Sequence, residues 1–233
     1  MRSSDARAND DFSATVVKSL SVILLSAVSA NALFGMEARY PLLAPVVEIV
    51  EQGRGFEALA GRLACDAVAA LARAPAPDEE RRWLGLTVHL ALLAKDDARA
   101  QAAARRLQAL QADDHERAYT GMTTFALGAV RRADGSVNAA EFGLEFARQL
   151  NALPKTVDMR AVLIRQRNRL EAITPEVLAA ETRALAARVS ASDTIDWETA
   201  DAVARLRHRR VDLLPLRREA LAALVTAIAV RQR

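Results

Sequence analysis

The sequence predicts an all-α protein, in which antiparallel helical hairpins pack as an irregular bundle or as a short α-solenoid-like stack. Ala, Leu, Arg and Glu, which are all strong helix formers, dominate its 233 residues. Only 9 Gly and 7 Pro are present, so few positions interrupt a helix. Apolar residues recur at three- and four-residue spacing between short polar turns, which is typical of amphipathic helices with antiparallel neighbours.

Composition and charge exclude several classes of protein. The chain is 52% hydrophobic and 26% charged, with a formal net charge of +3. It therefore has neither the apolar deficit nor the large net charge of a disordered chain. Its single cysteine, Cys65, cannot form an intramolecular disulfide, which excludes a disulfide-stabilised fold. A chain of this length can bury a stable core, and we expect residues 33–233 to form one all-α domain.

Residues 1–32 have the layout of a secretory signal. Lys18 precedes an apolar run at residues 20–28, and residues 30–32 read Ala-Asn-Ala, which is an A-x-A cleavage site. We expect cleavage after Ala32 and a periplasmic or secreted protein. Two alternatives remain open: a buried first helix in a cytoplasmic protein, or an uncleaved anchor through which the N-terminal segment contacts a membrane.

The first helices are predicted from prolines, glycines and one apolar stripe. Residues 41–51 are apolar, and we expect a short helix or a turn of helix there, with Pro41 and Pro45 fixing its first φ values and Gly53 ending it. Residues 56–74 place apolar side chains on one face, which predicts a helix packed on the core.

Acidic residues mark the starts of the next three helices. Asp78 is predicted to cap a helix that continues to about residue 94 and is apolar on most sides, so it belongs in the centre of the fold. Pairs of aspartates open helices at residues 96–111 and 113–132, since helix N-termini favour carboxylates.

The last third of the chain follows the same rules, with Pro and polar residues marking boundaries. The predicted elements are helices at residues 138–153, 157–173, 175–189 and 197–206, a polar linker at residues 190–196, a break near residues 213–215, and a final apolar stripe to residue 228.

No motif of the common catalytic, nucleotide-binding or metal-binding classes is present, so the sequence predicts no cofactor, no metal and no catalytic residue. His89 lies in the most apolar helix, and we expect a core histidine that is hydrogen-bonded to a neighbour. His115 follows two aspartates, which favours a helix cap over a metal site. His208 lies among arginines, which predicts a pKa lowered by like charge. Cys65 is expected to pack as a small apolar side chain.

The most distinctive feature is the basic C-terminal segment at residues 200–233, which has eight arginines against three acids. It is either the solvated face of a helix pair or a surface for an acidic protein, an anionic membrane or a nucleic acid. Nucleic acid is disfavoured, because no aromatic residue follows Trp197 to stack on a base. The candidate contacts for a partner or an anion are Arg205, Arg207, Arg209, Arg210, Arg217 and Arg218.

Our leading hypothesis is a non-catalytic, exported helical protein that acts as a protein–protein interaction scaffold in the bacterial envelope, with self-association also open. The first alternative is an all-α enzyme with a dispersed site for an anionic substrate, in which Arg165, Arg167 or Arg169 acts with Asp113 and Asp114. A deep pocket lined by Arg, His and acids would favour that enzyme. The second alternative is a cytoplasmic protein that associates with nucleic acid through the basic segment.

Overall fold

The computed structural model describes residues 39–153 and 158–232, except for the side chain of Asp114. Within those residues, ten α-helices and one pair of two-residue strands are present, so the prediction of an all-α fold is confirmed. The predicted signal at residues 1–32 lies outside the described residues, as do the helix boundaries predicted at Pro154 and Val157. No described helix has both the length and the apolar character needed to cross a bilayer.

The elements follow one another with short connections. The helices are α1 (Val46–Gln52), α2 (Phe56–Ala72), α3 (Pro77–Leu93), α4 (Asp97–Leu110), α5 (Asp114–Val130), α6 (Ala139–Asn151), α7 (Met159–Glu171), α8 (Pro175–Val189), α9 (Trp197–His208) and α10 (Arg217–Arg231). Strand β1 (Tyr40–Pro41) pairs antiparallel with strand β2 (Thr194–Ile195), and one π-helical turn (Arg209–Leu213) follows α9.

Side-chain caps start most of the helices, as their sequences predict. Asp96, Asp113 and Thr174 each accept a hydrogen bond from a backbone N–H in the first turn of their helix. The prediction that Asp78 caps α3 is wrong. Pro77 takes the first helical position, where its fixed φ suits a helix start and its missing N–H costs nothing, so Asp78 lies inside the first turn.

The short helix predicted within residues 41–51 is present and ends at Gly53, but its predicted start is wrong. Pro41 belongs to β1, and the helix begins only at Val46, after Pro45 with an extended ψ of 144°. The reason is a long-range pairing: Tyr40 aligns with Ile195, which lies in the segment predicted as a polar linker. Both of these side chains are buried, so tertiary packing overrides the local preference.

Helix α3 lies at the centre of the packing. It contacts α2, α4 and α9, and apolar residues around its circumference, including Trp83, Leu86 and Val88, are buried. Helices α2 to α5 each pack on the next in the chain. Helix α10 packs on α6 and α7, while α1 packs on α8 and α9. The C-terminal helices therefore return over the others, which makes the fold an irregular bundle.

The break predicted near residues 213–215 is the π-helical turn. There the N–H of Leu214 donates to the carbonyl of Arg209 at 2.8 Å, one residue further back than in an α-helix. Pro215, which has no N–H, follows at once. The turn links α9 to α10 and carries Asp212 at a buried position.

Candidate functional site

A broad groove of about 1560 Å³ opens between α3, α5, α8 and α9, and we call it the central groove. Its floor includes His89 of α3 and His208 of α9, together with Tyr119 and three threonines of α5. Its walls carry charges of both signs. The charged lining residues are Arg81, Arg82, Arg169, Arg188, Arg205 and Arg209, and the acids Asp78, Asp113, Glu116, Glu181, Glu198 and Asp201.

Several of these charges are paired with one another. The pairs are Arg169 with Glu116, Arg209 with Glu181, Arg205 with Asp201 at 2.8 Å and Arg82 with Glu198 at 3.7 Å. Three of the four pairs join different elements, and only the Arg205–Asp201 pair lies within one helix. The pairs hold the guanidinium groups in place. The Arg169 guanidinium also lies 5.3 Å from the Tyr119 ring centre.

Four of the six predicted contact arginines divide between the groove and helix α1. Arg205 and Arg209 line the central groove. Arg207 donates to the Val50 carbonyl at 3.0 Å, and Arg210 lies 3.6 Å from a Glu51 carboxylate oxygen. These last two arginines therefore fasten α9 and the π turn to α1.

The other two predicted contact arginines lie on α10. Arg217 donates to the carbonyls of Leu170 and Glu171 at 2.8 and 3.1 Å, which supplies partners for the last carbonyls of α7. Arg218 is exposed and makes no ion pair or hydrogen bond with the described residues. The six side chains are thus distributed over separate surroundings and do not converge on one surface.

Only one arginine of α7 that was considered for an enzyme site reaches the groove. Arg169 lines it, whereas Arg165 pairs with Asp113 at 3.2 Å and Arg167 lies 3.5 Å from Glu171 on its own helix. The side chain of Asp114 lies outside the described part of the chain.

Behind the groove floor lies a chain of buried polar side chains, which we call the buried network. His208 Nδ1 lies 3.0 Å from Asp212 Oδ2, and the other Asp212 oxygen lies 3.8 Å from an Arg131 nitrogen. Arg131 Nε in turn lies 2.9 Å from Asp97. The side chains of His208, Asp212 and Arg131 are each less than a tenth exposed. The sequence analysis missed this network, although the four-residue spacing of His208 and Asp212 was a visible signal.

His89 completes the network on the groove side. Its ring stacks on that of His208 with 5.1 Å between ring centres. Burial holds the pKa of His89 well below its usual range, and the neighbouring charges of Arg205 and Arg209 act in the same direction, so the ring is neutral at pH 7. We expected a hydrogen-bonded core histidine. Instead, Nδ1 of His89 is buried and has no hydrogen-bond partner among the described residues.

His115 belongs to a helix cap, as its sequence context predicts, and the capping side chain is that of Asp113. Its backbone N–H donates to Asp113 Oδ1 at 2.7 Å, and its ring Nδ1 lies 2.9 Å from the same oxygen. These two hydrogen bonds lower the pKa of Asp113. Within the described residues, no three His, Cys, Asp or Glu side chains are arranged to hold a metal ion. Cys65 is partly exposed and has a free thiol.

Among the acids that line the groove, Asp201 has the most strongly shifted pKa. Its burial raises its pKa to about 6, although Arg205 beside it acts in the opposite direction. Between about pH 4 and pH 6, Asp201 therefore stays largely protonated in the folded chain, whereas an exposed aspartate is ionised.

Comparison with protein-family models, with curated proteins and with solved structures finds no match.

The buried network predicts unequal effects for two adjacent arginines. Arg131→Met removes the buried cation between Asp97 and Asp212 and leaves both carboxylates without their shared arginine, so we expect the free energy of unfolding to fall by about 3–5 kcal/mol. Arg132→Met is the matched control. Arg132 pairs with Glu141 at an exposed site, so its loss should cost at most about 1 kcal/mol. Urea denaturation measures both, and equal losses would show that the network is not a stabilising element.

The raised pKa of Asp201 predicts that the stability difference between the wild type and Asp201→Asn depends on pH. The unfolded chain releases the Asp201 proton near pH 4 and the folded chain near pH 6, so the unfolding free energy of the wild type falls as pH rises through this window. Asp201→Asn removes this titration. We expect its stability relative to the wild type to increase by about 2 kcal/mol between pH 4.5 and 7.5 in urea denaturation. A constant difference over that range would contradict the burial of this carboxyl group.

Proposed function

We propose that this chain is a binding protein whose central groove takes a segment of a partner protein. The observation that carries the proposal is the groove itself, which is open, spans four helices and has a volume of about 1560 Å³. Ligand sites are concave and have a few well-placed polar groups. The groove is concave, and polar and charged groups of both signs line it.

Unpaired polar atoms give the groove the means to hold a peptide segment. Nδ1 of His89 and Oε1 of Gln111 are buried in lining residues and have no hydrogen-bond partner among the described residues. Burying such atoms unpaired costs free energy, which a ligand hydrogen bond would recover.

The charges of the groove favour a partner segment that carries both signs. Its six arginines and six carboxylates balance, so the groove has no strongly positive surface. Nucleic acids bind largely through such a surface, and this argues against the nucleic-acid alternative. The purely acidic partner considered from the basic segment is likewise a poorer fit for the groove than a segment of mixed charge, because it would also meet the carboxylates.

We place this binding in the bacterial envelope as part of the same proposal. Its support is the signal-like pattern at residues 1–32, with the A-x-A site at Ala32.

The second candidate function is the all-α enzyme with a dispersed site for an anionic substrate. The observation that favours it is the gathering of arginines, acids and two histidines in one groove, including Arg169, Arg205 and Arg209.

Filling the groove should abolish partner binding. Gly85 lines the groove, and a Cβ added there meets no atom within 4 Å, so Gly85→Trp places a large ring in the groove without a clash at the backbone. We expect tagged full-length protein to capture a defined protein from envelope extract, and Gly85→Trp to reduce that capture at least about tenfold, as for the loss of a binding hot spot.

The matched control is Gly61→Trp. Gly61 lies on α2, outside the groove lining, and a Cβ there also meets nothing within 4 Å. This variant should capture the partner as the wild type does. Capture of nothing above background, or equal capture by Gly85→Trp and the wild type, would refute the groove proposal.

Export has its own test, the intact mass of the protein in fractionated cells that express the full reading frame. We expect an envelope species that begins at Leu33, because cleavage follows Ala32. A full-length species in the cytosol would contradict export, while leaving the groove proposal to be decided by the Gly85→Trp experiment.

A further inference from the structure

The pairing of His208 with Asp212 resembles the arrangement that prepares a histidine for proton transfer. Asp212 lies 3.0 Å from Nδ1 of His208, and both side chains are less than a tenth exposed. A buried carboxylate that accepts from Nδ1–H fixes the tautomer of the ring and leaves Nε2 as the proton acceptor.

Asp212 is itself held in place. It is carried by the π-helical turn, and its second oxygen is oriented toward Arg131, which Asp97 holds from the other side. Irregular helical turns of this kind are frequent at functional sites. His208 lines the central groove beside the neutral ring of His89, so the base is at the floor of a site large enough for a substrate.

We propose that His208 is a general base for the hydrolysis of a carboxylic ester held in the central groove, and that Asp212 is its positioning residue. His208 Nε2 takes a proton from a water molecule as the water oxygen bonds to the ester carbonyl carbon. The acyl C–O bond then breaks, and the imidazolium returns the proton to the departing alkoxide. The products are a carboxylic acid and an alcohol, so the step needs no reagent beyond water.

The surroundings of His208 favour an acyl substrate. Arg205 and Arg209 line the same groove as His208, and Arg209 follows His208 directly in the chain. Cations at that position can stabilise the negative charge that develops on the carbonyl oxygen. An ester suits this site better than an amide, because an alkoxide leaves more readily than an amide nitrogen and the proposed mechanism uses no nucleophilic side chain.

This activity is independent of the partner proposed above, although it uses the same groove. His208→Gln keeps most of the side-chain volume and can still donate to Asp212. Asp212 contacts His208 but does not line the groove, so a loss of hydrolysis in Asp212→Asn with retained partner capture would separate the two proposals.

The experiment measures steady-state hydrolysis of 4-nitrophenyl acetate and 4-nitrophenyl butyrate by full-length protein, followed through several turnovers by the absorbance of released 4-nitrophenolate. We expect His208→Gln to turn over at least about 100-fold more slowly than the wild type, the usual contribution of a general base. Asp212→Asn should lower kcat at least about tenfold and leave KM within about twofold, because Asp212 acts through His208 and not on the substrate.

His115→Gln is the matched control. It removes a second histidine–aspartate pair, with Nδ1 of His115 2.9 Å from Asp113, that lies outside the buried network, and it should keep the wild-type rate. Thermal unfolding of each variant checks that the fold is retained. Turnover of both esters by His208→Gln at the wild-type rate, or an equal loss in His115→Gln, would overturn the assignment of His208.

Discussion

The burial of one guanidinium group constrains much of this structure. Arg131 follows the last residue of α5, its side chain is 5% exposed, and it lies between carboxylates of α4 and of the π turn. A buried cation in that position must remain paired, because removing either the charge or its partners leaves an uncompensated ion in a medium of low polarity. The start of α4, the end of α5 and the link between α9 and α10 are therefore held together. The floor of the central groove is built on that junction.

Local features of the sequence predict the helices well and their partners poorly. The caps at Asp96, Asp113 and Thr174 depend on hydrogen bonds within one turn, and a single sequence contains that information. The pairing of Tyr40 with Ile195 and the contact between Arg131 and Asp212 depend on segments far apart in the chain. Alanine-rich helices have many similar faces, so the pairs of helices that pack together cannot be predicted from a single sequence. The groove and its two stacked histidines were beyond prediction for the same reason.

The arginines of the C-terminal segment show why a local excess of charge is weak evidence for a binding surface. Arg217 completes the hydrogen bonding at the end of α7, and Arg207 does the same for a carbonyl of α1. Arginine suits this role because its planar group has five donors and a long apolar stem that packs on its way to the partner. A count of charges along the sequence does not distinguish such internal uses from contacts with another molecule. Their position in the fold does.

The long-range packing of α1 has a consequence for how the protein is made. Helix α1 packs on α8 and α9, and Arg207 and the Val50 carbonyl that it binds are 157 positions apart. Contacts of such long sequence separation form late, because the loop between them must close first. During translation, α1 leaves the ribosome long before its partners are synthesised. The buried residues Ile49 and Val50 therefore stay exposed to solvent or to chaperones until α8 and α9 have been made.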